Sequence, residues 1–278
     1  MTFSLVGRCE RTGVVGAVIA SASMAVAARC AAVRAGVGAV CSQSTTDPRL
    51  RIALLDAMAA GQGADGALAA VVGQAPDVAY RQLAVADAAG GSAGYTGELA
   101  LGEACHVHLA GAAAAGNLLA AREVPAAMLA AFTGAADAND AFDTQLDAVL
   151  PGAGESKCKA PVSKGAPTGA SDEDLGDRLV AALRAGLAAG GEVTPVRSAG
   201  LLIADTEPWP VTDLRVDWDD DPVGRLAALW QAWRPQAALY VQRALHPAEV
   251  SELCARLWVA PYHRGESNPR ARAGARGL

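Results

Sequence analysis

Residues 2–21 read TFSLVGRCERTGVVGAVIAS, and the fold turns on whether this stretch is a leader or a pair of strands. As a leader, Arg8 and Arg11 would form the basic region and AVA at 25–27 a cleavage site. Glu10 sits inside that basic region. The apolar run is built of Gly, Ala, Ser and Val, with one Ile and no Leu. Such a run suits strands better than a secretory core. Residues 2–8 are apolar and β-branched enough for a buried strand, CERTG is a turn signal, and 14–21 give a second strand. Arg29 and Arg34 interrupt the run before it reaches the ~20 residues of a membrane span. The stretch is read as folded chain and the location as cytoplasmic, with secretion as the alternative.

Working outward, residues 36–43, GVGAVCSQ, add a strand, and the three suggest an N-terminal antiparallel meander. Asp47 followed by Pro48 is a helix start: an N-cap acceptor, then a residue that needs no N–H donor. Leu50, Leu54, Leu55 and Met58 then share one face of a helix over 48–60. A second helix is expected at 64–73. RQLAVADAAGGSAGYTGE, from 81, reads as strand, turn, strand, and ACHVHLA at 104–110 as a further strand. REVPAAMLAAF at 122–132 is helical. Ser171 is the expected N-cap of the helix that ends at Gly190-Gly191. SAGLLIAD and TDLRVDW are late strands. DPVGRLAALWQAW, from 221, and HPAEVSELCARLW, from 246, are closing helices.

Strands in antiparallel groups with helices between them predict an α+β fold, a four-layer α-β-β-α sandwich of two antiparallel sheets. The domain plan is a sandwich over 1–220 with a flexible insertion at 133–171, a helical extension over 221–262, and a disordered basic tail over 263–278. The 52% hydrophobic content with only 4% aromatic residues calls for a core of small side chains. A net charge of −6 argues against nucleic acid as a partner. The six cysteines form no C-x-x-C pair and suit buried thiols in a reducing compartment.

Thr2 is the residue with most chemical potential. Removal of Met1, which a small second residue permits, would place a hydroxyl and an α-amine on one residue. That amine, with a reference pKa of about 7.7–8.0, can take the hydroxyl proton. His106 and His108 share one face of their strand, as a metal pair would, but no third ligand of suitable spacing accompanies them. Neither a metal nor a cofactor is expected. Gly116-Asn117 is either a simple turn or a place where backbone amides meet an oxyanion. G-x-S-x-G around Ser92 is followed by a strand pattern, not the helix a nucleophile elbow needs. Asp213, Arg215 and Asp217 alternate on one strand face, the pattern of an ion-pair ladder. Arg81-Gln82 and Arg197-Ser198 stand at strand starts.

These segments together resemble the DUF1028 family, related in fold to the N-terminal nucleophile (Ntn) hydrolases. The resemblance rests on TFSLVGR, GAVIAS, RAGVGAVCSQSTTDPRL, RQLAVADAAG, YTG, GNLLAAREV, RSAGLLIAD and DLRVDWDDDP, in family order over nearly the whole chain. It implies an Ntn-hydrolase-like sandwich and hydrolysis of a small amide or cyclic amide. Thr2 matches the family's N-terminal threonine, His106 the histidine of a Gly-His pair that here reads Cys-His, and Asn117 the asparagine of QGN that here reads AGN. These three are the catalytic candidates, with Asn117 at the oxyanion. Gln43, Asp47, Arg81, Arg197, Asp213 and Arg215 fall in matched motifs and are the substrate-binding candidates, Arg81 or Arg215 for a carboxylate. Ala115 replaces the family glutamine and Glu103 a frequent tryptophan. The implied partners are a small-molecule amide and a second copy of the chain, since such sandwiches pair through outer helices. The rival expectation is a non-catalytic binding or assembly protein on the same fold.

Overall fold

The structure is a computed structural model and describes residues 1–134 and 174–249. The expected insertion, beyond its first two residues, and the basic tail lie outside the described residues, as does most of the helix expected from 246. The described chain divides into two units, Met1–Gln231 and the part from Ala232 onward.

The first unit is built on two antiparallel sheets. Its strands are β1 (Thr2–Arg8), β2 (Val15–Ser21), β3 (Ala31–Arg34), β4 (Gly38–Ser44), β5 (Arg81–Asp87), β6 (Ser92–Thr96), β7 (Cys105–Leu109), β8 (Ala112–Asn117), β9 (Ser198–Ala204) and β10 (Thr212–Val216). Six of them form one sheet in the order β10-β9-β2-β1-β8-β7, and four form the other in the order β3-β4-β5-β6. The stretch weighed as a leader thus supplies β1 and β2, the two central strands of the larger sheet. The apolar character of both follows from their place: every residue from Thr2 to Gly7 and from Val15 to Ser21 is buried.

The helices of this unit are α1 (Val26–Cys30), α2 (Pro48–Ala59), α3 (Ala64–Gln74), α4 (Val124–Thr133), α5 (Leu175–Ala188) and α6 (Pro222–Trp233), whose last two residues belong to the second unit. Packing follows from period-two alternation in the strands. One face of the larger sheet presents Val6, Ala17, Ile19, Ala113 and Ala115 to Ala39, Cys41, Ala84 and Ala86 of the smaller sheet. The far face of the smaller sheet, with Val40, Leu83 and Val85, meets Leu50, Leu54, Leu55 and Leu68 of α2 and α3. On the far face of the larger sheet lie α4 and α5. Gly7 allows this approach, since a Cβ there would stand 2.5 Å from the Phe132 ring of α4. The order is helix pair, six-stranded sheet, four-stranded sheet, helix pair.

Three local expectations are corrected. The strand at 38–44 does not extend an N-terminal meander. It lies in the other sheet, because the five-residue α1 and β3 carry the chain across between Ser21 and Gly38. A whole strand, β8, stands where only a turn was read. Ala112–Ala115 have little strand propensity, and their conformation is set by pairing on both sides, to β1 and β7. The N-cap of α5 is Asp174, which accepts from Gly176 N at 2.9 Å, not Ser171. By contrast, Asp47 caps α2 as expected.

In the second unit, α7 (Ala237–Leu245) stacks Tyr240 on Trp233, ring centroids 4.8 Å apart. Among the described residues no helix is long and apolar enough to cross a membrane. Cys9, Cys30 and Cys41 are buried free thiols.

Candidate functional site

Polar residues interrupt the buried strands at one end of the intersheet layer. In the larger sheet, register places Thr2 opposite Ser21 and Asn117, and Ser4 opposite Ala115, which in turn faces His106. In the smaller sheet, Gln43, Gln82 and Thr96 form a row across β4, β5 and β6. The two rows face each other, so their side chains must satisfy one another or cost folding free energy.

They do so through Gln82, which is fully buried. Its Nε2 donates to Gly116 O at 2.9 Å, Cys105 O at 3.1 Å and Thr96 Oγ1 at 2.9 Å. Two of these acceptors are carbonyls, so the amide orientation is fixed: nitrogen toward them, Oε1 away. That oxygen accepts from Gln43 Nε2 at 2.9 Å and from Asn117 Nδ2 at 3.0 Å. Gln43 Oε1 in turn accepts from Ser4 Oγ at 2.7 Å. Asn117 must therefore point its nitrogen at Gln82. Its Oδ1 is buried and, among the described residues, has no partner, which leaves it free to accept.

His106 joins the network through Nδ1, which shares a hydrogen bond with Thr96 Oγ1, 2.8 Å away. Burial, with a smaller contribution from His108, pushes its pKa down to about 4. Gly94 makes room for the ring: a Cβ there would lie 2.4 Å from it. His106 is thus tied to Thr96, and among the described residues no hydrogen bond links it to Thr2.

Thr2 is 4% exposed and its hydroxyl contacts the carbonyl oxygen of Met1. The same carbonyl accepts from Ser21 Oγ at 2.6 Å. Because the single Ser21 proton is used there, Ser23 Oγ, 2.7 Å away, is the donor to Ser21. Ser23 N also donates to Ser21 Oγ at 3.0 Å, and Arg29 Nη2 donates to Ser23 Oγ at 3.0 Å. A relay runs from a guanidinium through two hydroxyls to a carbonyl beside Thr2. Each bond in such a chain polarises the next.

Glu192 closes the site on the other side. Both carboxylate oxygens accept from Ala22 N at 3.2 Å, and its backbone bridges to Leu119. Leu118 between Asn117 and Leu119 adopts φ 51°, a left-handed conformation that ends β8 and turns the chain toward Glu192. Burial raises the Glu192 pKa to about 7, opposed by the Ala22 N–H and the Met1 amine. Burial likewise lowers the Met1 amine, opposed by Glu192.

Of the residues singled out by sequence, Thr2, Asn117, His106 and Gln43 come together here. The rest do not join them. Asp47 caps α2 through Arg49 N, and its carboxylate is clasped by Arg49 at 2.7 Å. Arg81 lies one residue out of phase with Gln82, on the helix-covered face, and donates to Thr45 O. Arg197 pairs with Asp220 and stacks over Trp218. Asp213 and Arg215 form a two-pronged pair, both contacts 2.7 Å. They sit on edge strand β10, three strand spacings or about 14 Å from β1. Gln82, Ser21, Ser23 and Glu192 complete the site. Among the described residues, no group of three His, Cys, Asp or Glu side chains is placed to hold a metal ion.

Comparison with known proteins finds a family and solved structures that resemble this chain. A family model described as DUF1028, a family of unknown function, matches residues 2–226. A solved structure from Silicibacter pomeroyi, described by the same family model, superposes with a TM-score of 0.65 at 27% identity. It covers 84% of this chain and 88% of its own. No curated protein sequence matches.

Proposed function

The chain belongs to the DUF1028 family, a family of unknown function, and we propose that this member is an N-terminal nucleophile amidohydrolase acting on a small amide through Thr2. One observation carries the reading. A buried threonine in the centre of the sheet has a carbonyl held against its hydroxyl by Ser21, and an unpartnered Asn117 Oδ1 stands across the ladder. The helix–sheet–sheet–helix packing order supports an Ntn-hydrolase-like fold.

The mechanism requires the peptide bond before Thr2 to be cut, leaving a free α-amine. That amine takes the Thr2 hydroxyl proton as Oγ1 bonds to the substrate carbonyl carbon. The proton then passes to the leaving nitrogen as the C–N bond breaks, and water cleaves the resulting ester. The oxyanion role expected of Asn117 passes to Ser21. Asn117 Nδ2 gives one of its two N–H groups to Gln82 Oε1, whereas Ser21 already donates to a carbonyl beside Thr2 and is polarised by Arg29. Asn117 Oδ1 instead accepts from the Thr2 amine and orients it. Arg215 holds no substrate carboxylate in this scheme, since its fork is closed on Asp213.

The second reading is a non-catalytic binding protein on the same fold, favoured by Ala115 in place of the family glutamine. Intact mass and a β-lactone electrophile separate the two. The hydrolase reading expects a chain that starts at Thr2 and is labelled once, with labelling lost in Thr2→Ala. Equal labelling of both proteins, or a retained methionine, favours the binding reading.

A further inference from the structure

The hydrolase reading leaves the substrate open, and the course of Met1 narrows it. The Met1 carbonyl is bonded to the Thr2 nitrogen, while a substrate acyl group would be bonded to Thr2 Oγ1. Those two positions on one residue are related through a five-membered ring, so both carbonyls reach the same Ser21 donor. The groups beyond the Met1 carbonyl therefore trace where the rest of an acyl group would run.

Two features line that course. The first is Glu192, 7% exposed, whose two oxygens share one hydrogen-bond donor among the described residues, Ala22 N. A carboxylate has room for about four hydrogen bonds, and among the described residues no arginine or lysine forms an ion pair with it. The nearest guanidinium partner of the relay, Arg29, is spent on Ser23 Oγ and Met24 O. Glu192 lies alongside Met1: it accepts from Ala22 N, next to the Ser21 that holds the Met1 carbonyl, and it stands two residues before Thr194. The second feature is Thr194, whose Oγ1 lies 2.7 Å from Met1 Sδ. An acyl group that follows the same course carries an α-ammonium toward Glu192 on one arm and an unbranched apolar side chain toward Thr194 on the other.

We propose that the course of Met1 marks the acyl-side subsite and that it takes amides of α-amino acids, the substrate ammonium pairing with Glu192 and its side chain lying beside Thr194. The inference rests on the hydrolase reading for its chemistry, but the subsite is testable apart from it. A competing role for Glu192 is to hold the Thr2 ammonium itself, and that role would serve every substrate equally.

The test uses protein that begins at Thr2 and three amides: L-methioninamide, its N-acetyl derivative and its desamino analogue. Methioninamide is expected to be hydrolysed with a kcat/KM at least about thirty-fold above the other two, the scale on which removing one partner of a buried charge pair is felt. Glu192→Gln should raise KM for methioninamide and leave the desamino amide unchanged. Equal hydrolysis of all three overturns the proposal. So does a Glu192→Gln variant that lowers kcat alike for all, the signature of a carboxylate serving Thr2. Calorimetry on Thr2→Ala, still open to methionine removal, gives a second readout. Methioninamide should bind, and Thr2→Ala with Glu192→Gln should not bind it. Labelling of Thr2 by the β-lactone with no methioninamide binding sinks the subsite and spares the hydrolase. Binding without labelling does the reverse.

Discussion

Asn117 stands directly across the antiparallel ladder from Thr2, with its amide nitrogen tied to Gln82 and its oxygen buried without a partner. An unpaired buried acceptor is costly to keep, and the donor that fits it is the amine Thr2 would carry. Asn117→Ala should therefore slow both turnover and β-lactone labelling by about 10²-fold through misplacement of that amine, with little change in KM. A rate within two-fold of wild type, measured in parallel, would remove Asn117 from the mechanism.

Gln82 is the hub that sets this orientation, and its loss should be felt in stability. Gln82→Leu strands two carbonyls and the amides of Gln43 and Asn117, a cost of about 3 kcal/mol or more. Urea unfolding should show a lower midpoint at unchanged m. Gln82→Glu should be as harmful, because a carboxylate offers no donor to Cys105 O and Gly116 O. A near-neutral Gln82→Glu would mean that the bonds to these two carbonyls contribute little to stability.

His106 predicts the pH dependence of stability. Its pKa is pushed down in the folded chain to about 4, whereas the unfolded chain binds the proton near the ordinary value of about 6.5. The stability tied to a neutral His106 is therefore complete above about pH 6.5. It drains away as pH falls through that value toward 4, by up to about 3 kcal/mol. His106→Gln should flatten this part of the curve, as read from urea midpoints at pH 5 and pH 7.5. An unchanged slope would rule the imidazole out as its source.

Asp47 should behave as a helix cap and not as a substrate ligand. The hydrogen bond and charge of Arg49 hold its carboxyl below the usual range, so the cap is in force at neutral pH and lost on acidification. Asp47→Ala is expected to cost about 1 kcal/mol while kcat and KM stay as they were. A selective rise in KM would return Asp47 to the substrate.

The frame of the fold is legible in residues 2–21 and 47–59, where alternation and a cap are unambiguous. The strand at 112–117 is not, because four alanines carry no period and take their conformation from two neighbours. The site divides for a related reason. Arg81 and Gln82 are adjacent and equally polar, but one residue of phase sends them to opposite faces of β5. Phase is set by the pairing of strands distant in sequence. Ser21 meets Thr2 through the same kind of pairing. The visible signal is the isolated polar residue in an apolar strand, as at Ser4; Gln43, between Ser42 and Ser44, and Gln82, after Arg81, are masked by polar neighbours. Glu192 gave no such signal, since it follows the Gly-Gly stop of α5 in irregular chain.

The alanine-rich stratum between the sheets works as a shim. Ala84, Ala86, Ala113 and Ala115 hold the two sheets at a separation that lets Ser4 reach Gln43 and Gln82 reach Gly116 O. Any thicker filler, even on a strand remote from Thr2, would jack the sheets apart and stretch every polar tie at the open end together. The gauge of the buried polar layer is thus machined into side chains that carry no chemistry at all.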